Sequence, residues 1–291
     1  MSWDDFRFVL ALEEAGSLAK AAKVLRVDHT TVGRRVAAAE EALGVRLFTR
    51  SPTGFVPTKD AERLLAPMKQ VEEAVLRLQR AAAQDDRLEG PLRVTSPETF
   101  GTHYLAARLA AFGLQHPGLR LDLLPAGDVL DLGRGEAEVA VRGFRSRQEE
   151  LLVRRGGILG YGLYAAPDYL ARHPFDPKRG LGDHAWLSSP EPQAIEARWL
   201  ERLVGATKPS FTSISSLALR AVARQAAGIA VLPHYLARHD PRLTHLPMPD
   251  EPSETLWLTV HRDLARTPRV RALLNFLAAS MKADASRLRG R

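Results

Sequence analysis

The chain is 291 residues long, enough for two or three domains, and 45% of it is hydrophobic, which permits ordinary packed cores. It holds no cysteine, which excludes disulfides, thiolate zinc sites and thiol redox sensing, and no apolar run of about 18 residues that would span a membrane. The net charge of +7 is uneven: residues 1–90 carry 14 basic and 14 acidic side chains, yet from Lys20 to Lys59 eight basic residues face three acids, a local excess suited to phosphate binding.

The opening MSWDDFRFVL has two acids where a secretory leader would be positive, so a cytoplasmic protein without membrane contact is expected. A first helix over about Trp3–Glu14 presents Phe6, Val9 and Leu10 to a small core and ends at Gly16. Ser17 caps a second helix whose apolar face is Leu18, Ala21, Ala22 and Leu25. Val27 closes a tight turn and Asp28 caps a third helix, which turns Val32, Val36, Ala39 and Leu43 inward. His29, Thr30, Thr31, Arg34 and Arg35 are left on its other faces, a shape that fits a major groove with arginines placed for guanine or phosphate. Beyond Gly44, RLFTRSPTGFVPT supplies two short strands around turn residues. Arg50 and Thr53 of this hairpin reach phosphates or the minor groove on one reading and are simply solvated on the other. Ser17 completes the set of expected DNA-contact residues.

From Lys59 to Asp86, Ala61, Leu64, Leu65, Met68, Val71, Val75 and Leu78 form a narrow apolar stripe. A helix that long, about 40 Å, exceeds the small preceding domain and is expected to pair with a second copy, with packing on the chain's own C-terminal part as the alternative. Pro67 predicts a kink near Arg63–Pro67, and DDRLEGP at 85–91 reads as a linker.

Strand and helix then alternate: LRVTS at 92–96, a helix over PETFGTHYLAARLAAFGLQHP, LRLDLLPA at 119–126, helical residues leading into the strand AEVAVRG, then GYGLYAAP, a helix from Asp168, AWLSS, a helix near Ile195–Leu203, PSFTSIS, a helix from Leu217, and GIAVLP. This predicts right-handed crossovers and a largely parallel sheet in two α/β halves. The terminal RLRGR reads as a solvated basic end, with DNA contact as the alternative.

The segments WDDFRFVLALEEAGSLAKAA, VDHTTVGRRVAAAEEALG and RLFTRSPTGFVPT, followed by a long amphipathic helix, resemble the winged helix-turn-helix of LysR-type transcriptional regulators. The departures are Gly33 where serine is common, Ala39 where leucine usually precedes Glu40, and Ala61 where a glycine often follows the wing. GEAEVAVR at 135–142, LGYGLYAAPDYLARHP at 159–174, AVARQAAGIAVLPHYLA at 221–237 and WLTVHRDLARTPRVRALLNFL at 257–277 resemble the effector-binding domain of the same family. The implied architecture is α/β overall: an N-terminal all-α winged helix-turn-helix (1–58), a linker or dimerisation helix and hinge (59–88), and a two-subdomain domain like a periplasmic binding protein (89–291). Its first subdomain covers about 91–166 and 256–285, its second about 167–250. The resemblance implies a homodimer or homotetramer on an interrupted palindrome of double-stranded DNA, a small-molecule effector in the cleft, and RNA polymerase as a further partner.

For the effector, Ser96 reads as a helix cap and Pro97 as a first helical residue, leaving the amides of Thr99 and Phe100 free for an anion. The resemblance places a carboxylate at this turn, whereas capping alone is the plainer reading. Arg142, at the carboxyl end of a strand, pairs with an effector carboxylate or with an internal acid. Ser213 and Ser215 face the same cleft by resemblance or cap the next helix. His234, His239 and His245 lie near one another in sequence, but neither HxxxH nor HExxH occurs, so no metal site and no cofactor are expected. GxSxG, GxxxxGK[ST] and GxGxxG are also missing, so no enzyme is expected. Two other readings stay open: an effector-independent architectural DNA protein, and a small-molecule binder without DNA binding.

Overall fold

The computed structural model describes residues 3–52, 54–82, 88–125, 130–178, 181–206 and 208–290. The chain forms two compact units, Met1–Ala83 and Gln84–Arg291.

The first unit packs α1 (Trp3–Ala15), α2 (Leu18–Leu25) and α3 (His29–Leu43) around Val9, Leu12, Ala21, Val32 and Ala39, all fully buried. The caps are local chemistry: Ser17 Oγ accepts from Lys20 N at 3.3 Å, and Asp28 Oδ1 accepts from Thr30 N at 2.8 Å. α2 ends on Arg26, a non-glycine residue at φ 55°, and α3 on Gly44 at φ 68°. β1 (Phe48–Ser51) and β2 (Gly54–Pro57) pair antiparallel as the wing. Phe55 N donates to Gly16 O at 2.8 Å, and a Cβ on Gly54, whose φ is +131°, would strike that same carbonyl. Glycine at 54 therefore lets the wing lie against the end of α1.

α4 (Lys59–Ala82) starts at Thr58, whose hydroxyl accepts from Ala61 N and donates to Arg46 O. The helix runs unbroken across Pro67. Proline removes only its own N–H, and the neighbouring Met68 side chain is buried in the core of the unit. Ala61, Leu64, Leu65 and Met68 join that core, whereas Val71 and Leu78 are exposed.

The second unit is a mixed α/β structure. β3 (Gly90–Ser96) leads into α5 (Glu98–Phe100), a π-turn at Gly101–Leu105 and α6 (Ala106–Gln115). β4 (Leu119–Pro125) and β5 (Val139–Arg142) flank β3 in parallel. β6 (Leu151–Ala165) follows, then α7 (Pro167–Arg172), β7 (Trp186–Ser188), α8 (Ile195–Val204), β8 (Phe211–Thr212), α9 (Ser216–Ala223), β9 (Ile229–Pro233), α10 (His234–Ala237), β10 (Thr244–Leu246), β11 (Ser253–His261), α11 (Pro268–Ala283) and α12 (Ala285–Arg289). The strand order is β4-β3-β5-β11-β6-β9-β7-β8, with β10 beside β6.

The sheet is less parallel than the sequence suggests. β6 is one strand of 15 residues; its first part pairs antiparallel with β11, and its last part with β9 and β10. The sequence pattern reveals only the second part, Tyr161–Ala165, which is continuously buried, because Arg154, Arg155, Gly156 and Gly157 interrupt the apolar pattern of the first part. The residues before β5 show turns where described, not a helix, and 126–129 lie outside the described residues. The basic terminus is also not simply solvated: Leu288 of α12 is fully buried in the core cluster that holds Leu163, Trp186 and Leu273.

Candidate DNA interface and ligand cleft

The N-terminal turn of α3 carries the first constellation. His29, Thr30 and Arg34 are exposed and Thr31 is half-buried. Thr30 is committed to the cap through both its N–H and its hydroxyl, the latter donating to Asp28 Oδ1 at 2.7 Å. These bonds hold the Asp28 carboxyl below its usual range. Arg34 makes no hydrogen bond or ion pair with any described residue. Arg35 differs: its Nη1 donates to Asp5 Oδ1 at 2.9 Å, and its guanidinium stands 5.7 Å from the Phe8 ring centroid. Ser17 serves as a cap. Arg50 is exposed, 6.0 Å from the Phe55 ring centroid, and Thr53 lies outside the described residues.

One residue that sequence reasoning passed over positions the wing. Glu40, on α3, accepts from Leu47 N at 2.7 Å and from Phe48 N at 3.2 Å. The signal was present in the sequence as an acid eight residues before a strand, but nothing local distinguished it from a solvated glutamate.

The second constellation is a cavity of about 420 Å³ in the α/β unit. Thr99, Phe100, Arg142 and Ser215 line it, as expected, but Ser96 and Ser213 do not. Ser96 does not cap a helix: it ends β3, is fully buried and donates to Pro97 O at 3.2 Å, with the helix starting at Glu98. Ser213 Oγ accepts from Ser215 N, while Ser215 caps α9 through Ala218 N. Arg142 donates to Leu130 O at 3.1 Å and forms no ion pair with a carboxylate among the described residues; burial lowers its pKa.

Apart from Glu98, which neighbours Thr99 and would repel an acid effector, the rest of the lining was not foreseen. In the lining Glu98, Glu191, Glu196 and Glu254 set four carboxyls against the guanidinium of Arg142, while Arg198 acts on Glu254 from outside it. Tyr161 Oη donates to Glu254 Oε1 at 2.6 Å, and burial raises the carboxyl pKa of both Glu196 and Glu254. The Tyr235 ring lies edge-on to Phe100 at 5.5 Å, and its hydroxyl has no hydrogen-bond partner among the described residues. These groups come from α5, β6, α8, α10 and β11, so their convergence cannot be seen in any short window.

Elsewhere in the same unit His234, His245 and Glu251 converge, while His239 stays exposed and apart. Burial pushes the His234 imidazole down to about 4, which keeps it neutral.

Two family models match the chain: "Bacterial regulatory helix-turn-helix protein, lysR family" over residues 3–62, and "LysR substrate binding domain" over residues 85–282. The Mau operon transcriptional activator of Paracoccus denitrificans is 31% identical over 290 residues, 96% of each chain. The HTH-type transcriptional regulator CrgA of Neisseria meningitidis is 28% identical over 238 residues, 78% of each. Among solved structures, the full-length Vibrio cholerae virulence activator AphB superposes with a TM-score of 0.64 at 20% identity, covering 96% of this chain and 99% of that one. The Neisseria meningitidis CrgA structure gives 0.59 at 23% identity, covering 97% and 99%. At such identities the two structures speak for the fold.

Proposed function

This chain belongs to the LysR family of DNA-binding transcriptional regulators with an effector-binding domain, and from that premise we propose how its own residues carry out the task. Two copies pair along α4, with Val71 and Leu78 buried in the pairing, as a homodimer or a homotetramer built from such dimers. Each α3 enters a major groove with His29, Thr30, Thr31 and Arg34, and each wing brings Arg50 and Thr53 to the adjacent backbone or minor groove. Arg35 braces α3 against α1 through Asp5 instead of reading bases.

Two readers held by paired helices favour an interrupted palindrome. The observation that carries this reading is the unpaired, exposed Arg34 on the capped end of α3, next to residues otherwise used for packing and capping. Among the described residues no helix is long and apolar enough to cross a membrane, and the proposed site of action is the cytoplasm, on DNA and in contact with RNA polymerase.

The cleft, between halves of about 91–166 with 256–285 and about 167–250, is the proposed effector site. Four carboxyls facing one guanidinium favour an organic cation over the carboxylate suggested by the sequence. Phe100, Tyr161 and Tyr235 add ring faces that suit an ammonium group. Binding shifts the regulator between states only if one state binds the cation more tightly.

Selection of duplexes from a random pool by the full-length protein tests the DNA reading. Two inverted half-sites are expected, and recovery of unrelated sequences would refute it. Thermal shift with n-butylammonium and with butyrate at equal ionic strength tests the cleft separately. Stabilisation by the ammonium is expected, and stabilisation by butyrate alone would reverse the assignment.

A further inference from the structure

We propose that His234, His245 and Glu251 form a binding site for a divalent transition-metal ion of the zinc class, separate from the effector cleft. Glu251 bridges two imidazoles with its two oxygens: Oε1 lies 2.6 Å from His245 Nε2 and Oε2 lies 3.4 Å from His234 Nε2. All three ligand atoms fall within 4.8 Å of one another. Ligands at zinc bond lengths of about 2.0–2.1 Å in a tetrahedron are separated by about 3.3 Å. The 2.6 and 3.4 Å separations bracket that spacing, and the widest pair, at up to 4.8 Å, closes by up to about 1.5 Å when the ion binds.

The site is built by close approach. A Cβ on Gly162 would lie 2.6 Å from His234 Cε1 and 2.8 Å from His245 Nε2, and one on Gly160 would lie 2.9 Å from His234 Cδ2. Gly290, at φ +79°, closes the other side, where a Cβ would strike the His234 ring. Two glycines of β6 and one beyond α12 thus hold the ring between strand and chain end. Tyr164 Oη sits 2.7 Å from His234 Nδ1 and can accept its proton, the outer hydrogen bond that orients a ligating imidazole. Arg238 faces His245 Nδ1 at 3.5 Å, on the ring edge away from the His245 ligand atom.

Three protein ligands leave a fourth position open. A cavity of about 300 Å³, lined by His234, Glu251, Ser253 and Gly290, adjoins the cluster and supplies room for water or an exogenous ligand there. His234 opens α10, His245 is in β10, and Glu251 lies on the segment that returns the chain from β10 to β11. A bound ion therefore fastens that return segment to α10 and β10, stiffening the connection between the two parts of the sheet that β6 threads.

The test uses the full-length protein, stripped with EDTA and dialysed, titrated with Zn²⁺ by calorimetry and with Co²⁺ by visible absorption. The expected result is one ion per chain, the strong visible bands of four-coordinate Co²⁺ and a raised Tm. His245→Ala and Glu251→Gln, each checked for folding by circular dichroism, should lose stoichiometric binding, and Tyr164→Phe should weaken it by about 10- to 100-fold. His239→Ala should bind as the unaltered chain does. Absence of binding, binding below one equivalent, or binding that survives both His245→Ala and Glu251→Gln overturns the assignment.

Discussion

Asp5, on α1, holds Arg35, on α3, through a 2.9 Å hydrogen bond from Nη1 to a carboxylate that is itself buried. Two neighbouring arginines of one helix therefore have different work. Arg35→Ala should lower unfolding stability by about 1–3 kcal/mol, because the buried Asp5 carboxylate loses this charged hydrogen bond, discounted for the partial exposure of the guanidinium. Arg34→Ala should leave stability within roughly 0.5 kcal/mol. Denaturant unfolding of both variants separates them, and equal effects would contradict the division of roles.

The wing depends on Glu40. Substitution by Ala removes the acceptor for Leu47 N and Phe48 N, and unpaired buried amides cost about 1–3 kcal/mol. Hydrogen exchange at these two amides should quicken, and DNA affinity should fall without any change at the Arg34 contact. Unchanged exchange would place the wing's support elsewhere.

Glu196 predicts a pH signature. Burial raises its folded-state pKa above the ordinary value of the unfolded chain, so its contribution is intact below the unfolded pKa and is lost as pH rises through the folded one. Glu196→Gln should raise Tm by a few degrees at neutral pH, with the gain vanishing as pH falls to about 4. It should also weaken stabilisation by n-butylammonium. A gain independent of pH would remove burial of the charge as the cause.

The exposed apolar end of α4 is the proposed pairing surface. Leu78 is 70% exposed in the single chain, and Leu78→Glu places a charge in the proposed seam. Sedimentation should show the equilibrium moved toward monomer, with the winged unit still folded. An unaltered association state would show that the seam lies elsewhere.

The winged unit was legible in the sequence because its determinants are local: caps at Ser17 and Asp28, periodic core residues, a glycine stop at Gly44 and turn chemistry in the hairpin. Arg26 at positive φ, the Asp5 anchor and Glu40 were not, since each depends on a partner met only in three dimensions. In the second unit the order of strands and helices could be read, but the antiparallel β6 could not, because Arg154, Arg155, Gly156 and Gly157 break the pattern of its first part. The carboxyl-rich lining of the cleft was not legible for a related reason. Free amides at Thr99 and Phe100 are visible in one short stretch, whereas Glu196 and Glu254 arrive from α8 and β11. The histidine cluster escaped spacing rules because its third ligand, Glu251, is not part of any histidine motif.

The most direct test of the central claim is fluorescence anisotropy of the full-length protein on a duplex recovered by selection and on its scrambled counterpart, across a series of salt concentrations. The unaltered chain should prefer the selected duplex by about 10³-fold or more, and Arg34→Ala should forfeit about 1–3 kcal/mol of that preference. Equal affinity for the two duplexes, untouched by Arg34→Ala, would contradict a sequence-reading role for α3.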